Sequence, residues 1–263
     1  MEPLLVLPST TSHKREPLLP TLDVFAKLGF SNLDLNLNHI IERGVSPEAV
    51  RGALRTNGQC VEIVSGGWCD FFDEPPKIRD TFASVERQVA LAAFFGVERL
   101  RLFFGRLPAE AFDGRALATI SANLRQLADS HPDMLFVMEN HDGASSRPDI
   151  CCRILEAVER RNMRLNFDPI NFEHAGVRAA HALPLVQPWV AHVHLKGLDR
   201  TGFCEFGEGD VDLRPVLQAL VAGGYRGGLT VEYEGANDRT LRLYIGVRNA
   251  RAAVDALVER KYT

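Results

Sequence analysis

The sequence predicts an α/β fold, a single (β/α)8 TIM barrel spanning residues 1–263, from three observations. Eight apolar runs of strand length recur along the chain, and segments of helical periodicity separate them. The 263 residues also allow about 33 per strand-helix unit, close to what a closed barrel of eight units needs. Strict alternation of the two kinds of element makes the sheet parallel.

In chain order the runs are PLLVL, NLDLNL, CVEIVS, RLRLFF, MLFVME, RLNFD, AHVHL and GLTVEY. Between them, residues 20–28, 47–57, 78–95, 114–130 and 150–161 repeat apolar side chains at steps of three and four, which puts them on one helix face. Pro20 and Pro47 fall near helix starts, where a missing N–H costs little. The last segment, residues 240–262, aligns Leu243, Val247, Ala250, Val254 and Leu257, and its expected role is to cover the final strand. A coiled-coil seam would show the same spacing but needs more than the three incomplete heptads present. An open doubly wound sheet is the competing architecture. It lacks support, because no GxGxxG follows the first strand and no GxxxxGK[ST] occurs anywhere.

Composition narrows the function. With 46% hydrophobic residues the chain can bury a large core, and at a formal charge of -4 its lysines and arginines are dispersed rather than gathered in a phosphate-tracking stripe. Nucleic acid is therefore not an expected partner. The start, MEPLLVLPST, has no basic stretch of a leader, and no run approaches the ~20 apolar residues of a membrane span, so a cytoplasmic protein without a membrane partner is expected. The five cysteines are odd in number and have no CxxC spacing, which argues against a disulfide framework and a thiolate zinc site. Adjacent Cys151 and Cys152 read as helix residues.

Four residues at or next to the carboxyl ends of strands stand out: Glu139, Asp168, His194 and Glu232. If those strands are parallel neighbours in one barrel, three carboxylates and an imidazole meet at one rim and repel each other unless a divalent cation neutralises them. The plainer alternative for Glu139 and Asp168 is a helix N-cap. In HVHLKG, His192 and His194 share a face, with His194 nearer the strand end as ligand and His192 as a hydrogen-bonded core residue. Lys196 either meets an oxyanion or is a solvated loop lysine. Glu234 reads as a rim residue, and Gly207–Gly209 as a turn ahead of an Asp212 cap or as a substrate loop.

The ordered set MENHDG, NFDPINFEHAG, HVHLKG, GEGDVDL and TVEYEG resembles the xylose isomerase-like TIM barrel family, the sugar phosphate isomerases/epimerases, from about Leu135 to Gly235. The resemblance implies a divalent metal held by Glu139, Asp168, His194 and Glu232, with the two glutamates facing each other across a bound hydroxy-ketone or ketose. Two positions depart from it. Asn171 stands where many sugar-epimerising relatives have a histidine, and it can donate a hydrogen bond to substrate but cannot carry a proton at neutral pH. Gly197 replaces the acid that ends the familiar HxHxKD motif, the next acid being Asp199.

The chemistry expected is abstraction of a proton next to a carbonyl that a Lewis acid polarises, through an enediolate, with Glu139 and Glu232 as acid and base. Return of the proton from the opposite face gives epimerisation, return at the next carbon gives isomerisation, and loss of a β-hydroxyl makes the protein a dehydratase of an inosose- or dehydroshikimate-like substrate. Mixed oxygen and nitrogen ligands suit Mn²⁺, Mg²⁺, Co²⁺ or Zn²⁺. Trp68, preceded by two glycines, reads as a lid over the substrate, with Phe71, Phe72 and Phe104 as pocket wall or core. An apurinic-site endonuclease is disfavoured, since Ser65, Gly66, Phe103 and Phe104 occupy the places where extra zinc-binding histidines are needed. A barrel that binds a sugar-like small molecule without turning it over is the non-enzymatic alternative. A homo-oligomer is left open.

Overall fold

The computed structural model describes residues 4–259. Its strands are β1 (Val6–Pro8), β2 (Asn32–Asn36), β3 (Cys60–Ser65), β4 (Arg99–Phe103), β5 (Leu135–Glu139), β6 (Met163–Phe167), β7 (Val190–Leu195), β8 (Gly197–Asp199), β9 (Gly202–Cys204) and β10 (Leu229–Val231). Eight of them form one sheet in the order β1-β10-β7-β6-β5-β4-β3-β2, the fold of a β/α barrel. Each of the eight expected runs is one of these strands. The antiparallel pair β8 and β9 is additional. Contacts divide the chain into two units, Met1–Glu62 with His192–Thr263, and Ile63–Ala191.

In the first unit β10 lies between β1 and β7, with Leu7 opposite Thr230 and Thr230 opposite His194. Ser9, just past β1, bridges Asp34 of β2. Partners in a parallel ladder share a face and every second residue returns to it, so Ser9, Asp34, His194 and Glu232 all turn to the side of Thr230. The opposite side packs Leu33, Leu35, Val193, Leu195, Leu229 and Val231, all fully buried. Helix Arg239–Glu259 buries Leu243, Val247, Ala250 and Val254 as the spacing predicts, while Leu257 is half-buried and Tyr262 lies outside the described residues. The helix expected from Pro20 starts earlier, at Leu18, because extended Pro17 serves as its N-cap; Pro20 still falls in the first turn, where no N–H is needed. Helix Pro47–Thr56 follows a Ser46 cap whose hydroxyl accepts from the Ala49 N–H.

In the second unit β3, β4, β5 and β6 run side by side, with Ser65 opposite Arg101, Arg101 opposite Val137, and Phe103 opposite Glu139, which in turn faces Asn166. Arg101, Glu139, Asn166 and, two residues past it, Asp168 therefore share one face. Helices Pro75–Phe94, Gly114–Ser130 and Pro148–Val158 separate the strands, the second capped by Asp113. The third ends at Val158 rather than Arg161, because Glu159 takes a left-handed conformation at φ 52° and closes it. All five cysteines are free, and no helix is long and apolar enough to cross a membrane among the described residues.

Candidate metal centre

The register of the first unit gathers Asp34, His194 and Glu232. One ligand atom of each lies within 4.8 Å of the others, and all three residues are buried. The His194 ring turns Nδ1 towards Glu232 Oε2 at 3.6 Å and Nε2 towards Asp34 Oδ2 at 3.7 Å, both longer than a hydrogen bond. Ser9 donates its hydroxyl to the same Asp34 oxygen at 3.1 Å. Glu232 Oε1 is buried and accepts no hydrogen bond among the described residues. A carboxylate oxygen removed from water without a donor carries a large desolvation cost, which a cation offsets. Two carboxylates and one imidazole around a common point are a hard, mixed oxygen and nitrogen donor set. The residues fit a divalent metal.

His192, one layer deeper on β7, bonds through Nε2 to the Thr230 hydroxyl at 2.8 Å, as a core histidine would. Lys196 is not a solvated loop residue: its side chain is 1% exposed, its ammonium donates to Glu234 Oε1, and it lies 4.7 Å from the centre of the Phe203 ring. Glu234 is partly exposed and thus marks the rim. Asp212 accepts the Arg214 N–H at 2.9 Å at the start of helix Arg214–Ala222, so the turn reading of this segment holds, although Leu213 is the N-cap.

In the second unit Glu139 and Asp168 end neighbouring strands. Asp168 is both buried and a cap: Oδ1 accepts from Ile170 and Asn171 N–H at 2.9 and 3.0 Å, with Pro169 at the first helical position. Asn140 locks its backbone, donating to the Asp168 carbonyl at 2.8 Å and accepting its N–H at 2.9 Å. Glu139 Oε1 accepts from Asn171 Nδ2 at 3.2 Å, and Oε2 stands 3.1 Å from Arg101 Nε. Asn171 also donates to the Asn140 carbonyl at 2.9 Å, so both N–H bonds of its amide are committed within the protein. Any contact it makes to substrate falls to its carbonyl oxygen. The Asn166 side chain is fully buried, and neither of its polar atoms has a hydrogen-bond partner among the described residues.

Trp68 is half-buried and stacks on Phe103 with ring centres 4.2 Å apart, while His141 meets both rings edge-on at 5.2 Å and Arg106 lies over the indole at 4.2 Å. The side chain is held as part of a wall. Phe71 and Phe104 are buried in the core. Sequence reasoning missed Asp34 and Arg101. The available signal was a charge set between two leucines, Asp34 in NLDLN and Arg101 in RLRLF.

Buried carboxylates and a histidine at strand ends lie where enzymes of the β/α barrel fold build their active sites. The chain belongs to the xylose isomerase-like TIM barrel family, whose profile matches residues 22–259. Three solved structures illustrate the likeness. A zinc-bound IOLI protein is 14% identical over 98% of this chain and 98% of its own, at a TM-score of 0.81. The probable 3-DHS dehydratase AsbF of Bacillus anthracis, involved in petrobactin synthesis, is 16% identical over 93% and 97%, at 0.77. The 3-keto-D-glucoside 4-epimerase YcjR of E. coli, in its apo form, is 16% identical over 97% and 99%, at 0.69. At such identities the likeness is one of fold. None of the curated proteins matches this chain.

Proposed function

We propose that the protein is a divalent-metal-dependent isomerase or epimerase of a sugar or related polyhydroxy ketone, acting as a single cytoplasmic domain, with Glu139, Asp168, His194 and Glu232 as metal ligands. The observation that carries the reading is the buried set Asp34, His194 and Glu232, with a Glu232 oxygen that accepts no hydrogen bond among the described residues. Glu139 and Asp168 support it, because each is a buried carboxylate at the carboxyl end of a barrel strand, where active sites of this fold are built. The zinc bound to the IOLI protein and the epimerase activity of YcjR agree with it. Bound there, Mn²⁺, Mg²⁺, Co²⁺ or Zn²⁺ would supply Lewis acidity to a substrate carbonyl.

The chain's residues do the rest. Glu139 and Glu232 act as acid and base, one taking the proton next to the carbonyl and the other returning one. Asp34 adds a second carboxylate to the buried cluster of His194 and Glu232. Trp68, stacked on Phe103 and covered by Arg106, lines the wall beside the substrate, and Lys196 and the Asn171 carbonyl meet its oxygens. Asn171 gives a dehydratase reading its place as the second choice, since an amide cannot relay the proton that a histidine would. The apurinic-site reading stays disfavoured by the dispersed basic charge.

The test is solvent exchange. Metal-loaded protein is incubated in D₂O with ketoses, inososes and hydroxypyruvate, and deuterium is sought at the carbon next to the carbonyl. Incorporation into one of them is the expected result. No exchange with any, despite bound metal, would leave a sugar-binding barrel without turnover as the better reading.

A further inference from the structure

We infer that Arg101 and Asn171 together form a clamp that positions the Glu139 carboxylate for metal binding, a role that neither sequence pattern nor the ligand set assigns to the arginine. The inference rests on Glu139 being a ligand, as proposed above.

Arg101 sits inside β4, and its side chain is 3% exposed. Burying a guanidinium there is costly unless it is paired and bonded, and three contacts fix it. Its Nη1 donates to the Gly66 carbonyl at 3.1 Å, its Cζ lies 4.2 Å from the centre of the Phe103 ring, and its Nε stands 3.1 Å from Glu139 Oε2. The last contact is an ion pair whose N–H is not aligned for a hydrogen bond. The anchor is itself tied down, because the Gly66 N–H donates to the Arg101 carbonyl at 2.8 Å. Asn171 reaches the other carboxylate oxygen at 3.2 Å and is held in turn by the Asn140 carbonyl.

Glu139 is therefore gripped at both oxygens by groups that are themselves anchored to β3, β4 and the turn after β5. A free glutamate samples several rotamers, and fixing one before the cation arrives removes that entropy from the binding step. Each ionised oxygen can accept at more than one site, so the grip leaves lone pairs for an ion. One opposing effect exists: a guanidinium near a cation site repels the ion. Positioning and repulsion predict opposite signs for removal of Arg101, which makes the question decidable.

The experiment titrates metal-free protein with Mn²⁺ by calorimetry, using wild type, Arg101→Met, Arg101→Lys, Asn171→Ala, Glu139→Gln and the pair Arg101→Met with Glu139→Gln. The clamp predicts a roughly ten- to hundredfold weaker Kd for Arg101→Met, the usual scale for partners of metal ligands. Arg101→Lys should recover part of it, and Asn171→Ala should weaken binding in the same direction. In the Glu139→Gln background, Arg101→Met should change the Kd by less than about twofold, since the clamp has lost what it holds. A merely structural role for Arg101 would show as an undiminished effect in that background, and would overturn the proposal. Unchanged or tighter binding by Arg101→Met would do the same, the latter meaning that the guanidinium competes with the ion. If Arg101→Met does not fold, Asn171→Ala and its own pair with Glu139→Gln carry the same test. Wild type that binds no Mn²⁺ would remove the proposed function and the clamp with it, whereas tight wild-type binding with an indifferent Arg101→Met removes the clamp alone.

Discussion

Glu232 and Glu139 are both buried carboxylates, yet their surroundings differ: one has an oxygen that accepts no hydrogen bond among the described residues, the other is held at both oxygens. Replacing either by glutamine keeps the volume and removes the charge, so turnover in the exchange assay should fall by at least about a hundredfold in each, the usual contribution of a positioned acid or base. Near wild-type exchange in either variant would take that residue out of the proton path. His192→Asn is a control at the same strand. It loses the bond to Thr230 and should lower stability in a urea melt by about 1 kcal/mol, while the Mn²⁺ affinity stays put. Of the site, the residues at strand ends were legible because their position alone marks them. Asp34 and Arg101 were not, since a charge inside an apolar run acquires meaning only from the strand beside it: Ser9 opposite Asp34, and Val137 opposite Arg101, one layer below Glu139.

The strands could be read because a sheet covered on both faces needs largely apolar runs, and each of the eight is followed within two residues by Gly, Pro or Asn. Helix ends were read less well where a local conformation decides them, as with extended Pro17 and left-handed Glu159. The hairpin of β8 and β9 escaped because its strands are three residues long and mixed in polarity. Close approach between elements is equally silent in sequence. Gly66, at the end of β3, has space for a hydrogen only: a Cβ there would lie 1.9 Å from Gln88 Oε1 and 2.9 Å from Leu102 Cδ2. Gln88 is buried and its Oε1 accepts the Gly67 N–H at 3.1 Å, so yielding would break that bond. Gly66→Ala should therefore cost about 1–3 kcal/mol of stability in denaturant unfolding. A loss below a few tenths would show that helix Pro75–Phe94 gives way freely.

The stability of the whole molecule should depend on acid through His13. Its side chain is buried, and burial, with help from Arg239 and His39, lowers its pKa from 6.5 to about 4. Between these values the unfolded chain takes up a proton that the folded chain refuses, so stability is lost as pH falls from about 6.5 towards 4, by up to ~3 kcal/mol from this group. His13→Gln should flatten that part of a Tm against pH curve, and an unchanged curve would assign the acid loss elsewhere. A bound metal would act on the same scale, because an ion that binds only the folded chain adds stability in proportion to the logarithm of its concentration over its Kd. The most direct measurement is the stoichiometry of divalent metal on chelator-stripped and reloaded protein, for wild type and for His194→Ala with Glu232→Gln. One ion per chain in wild type and none in the double variant is the expected result; no ion in wild type, or an ion that stays when both ligands are gone, would contradict a metal centre at these strand ends.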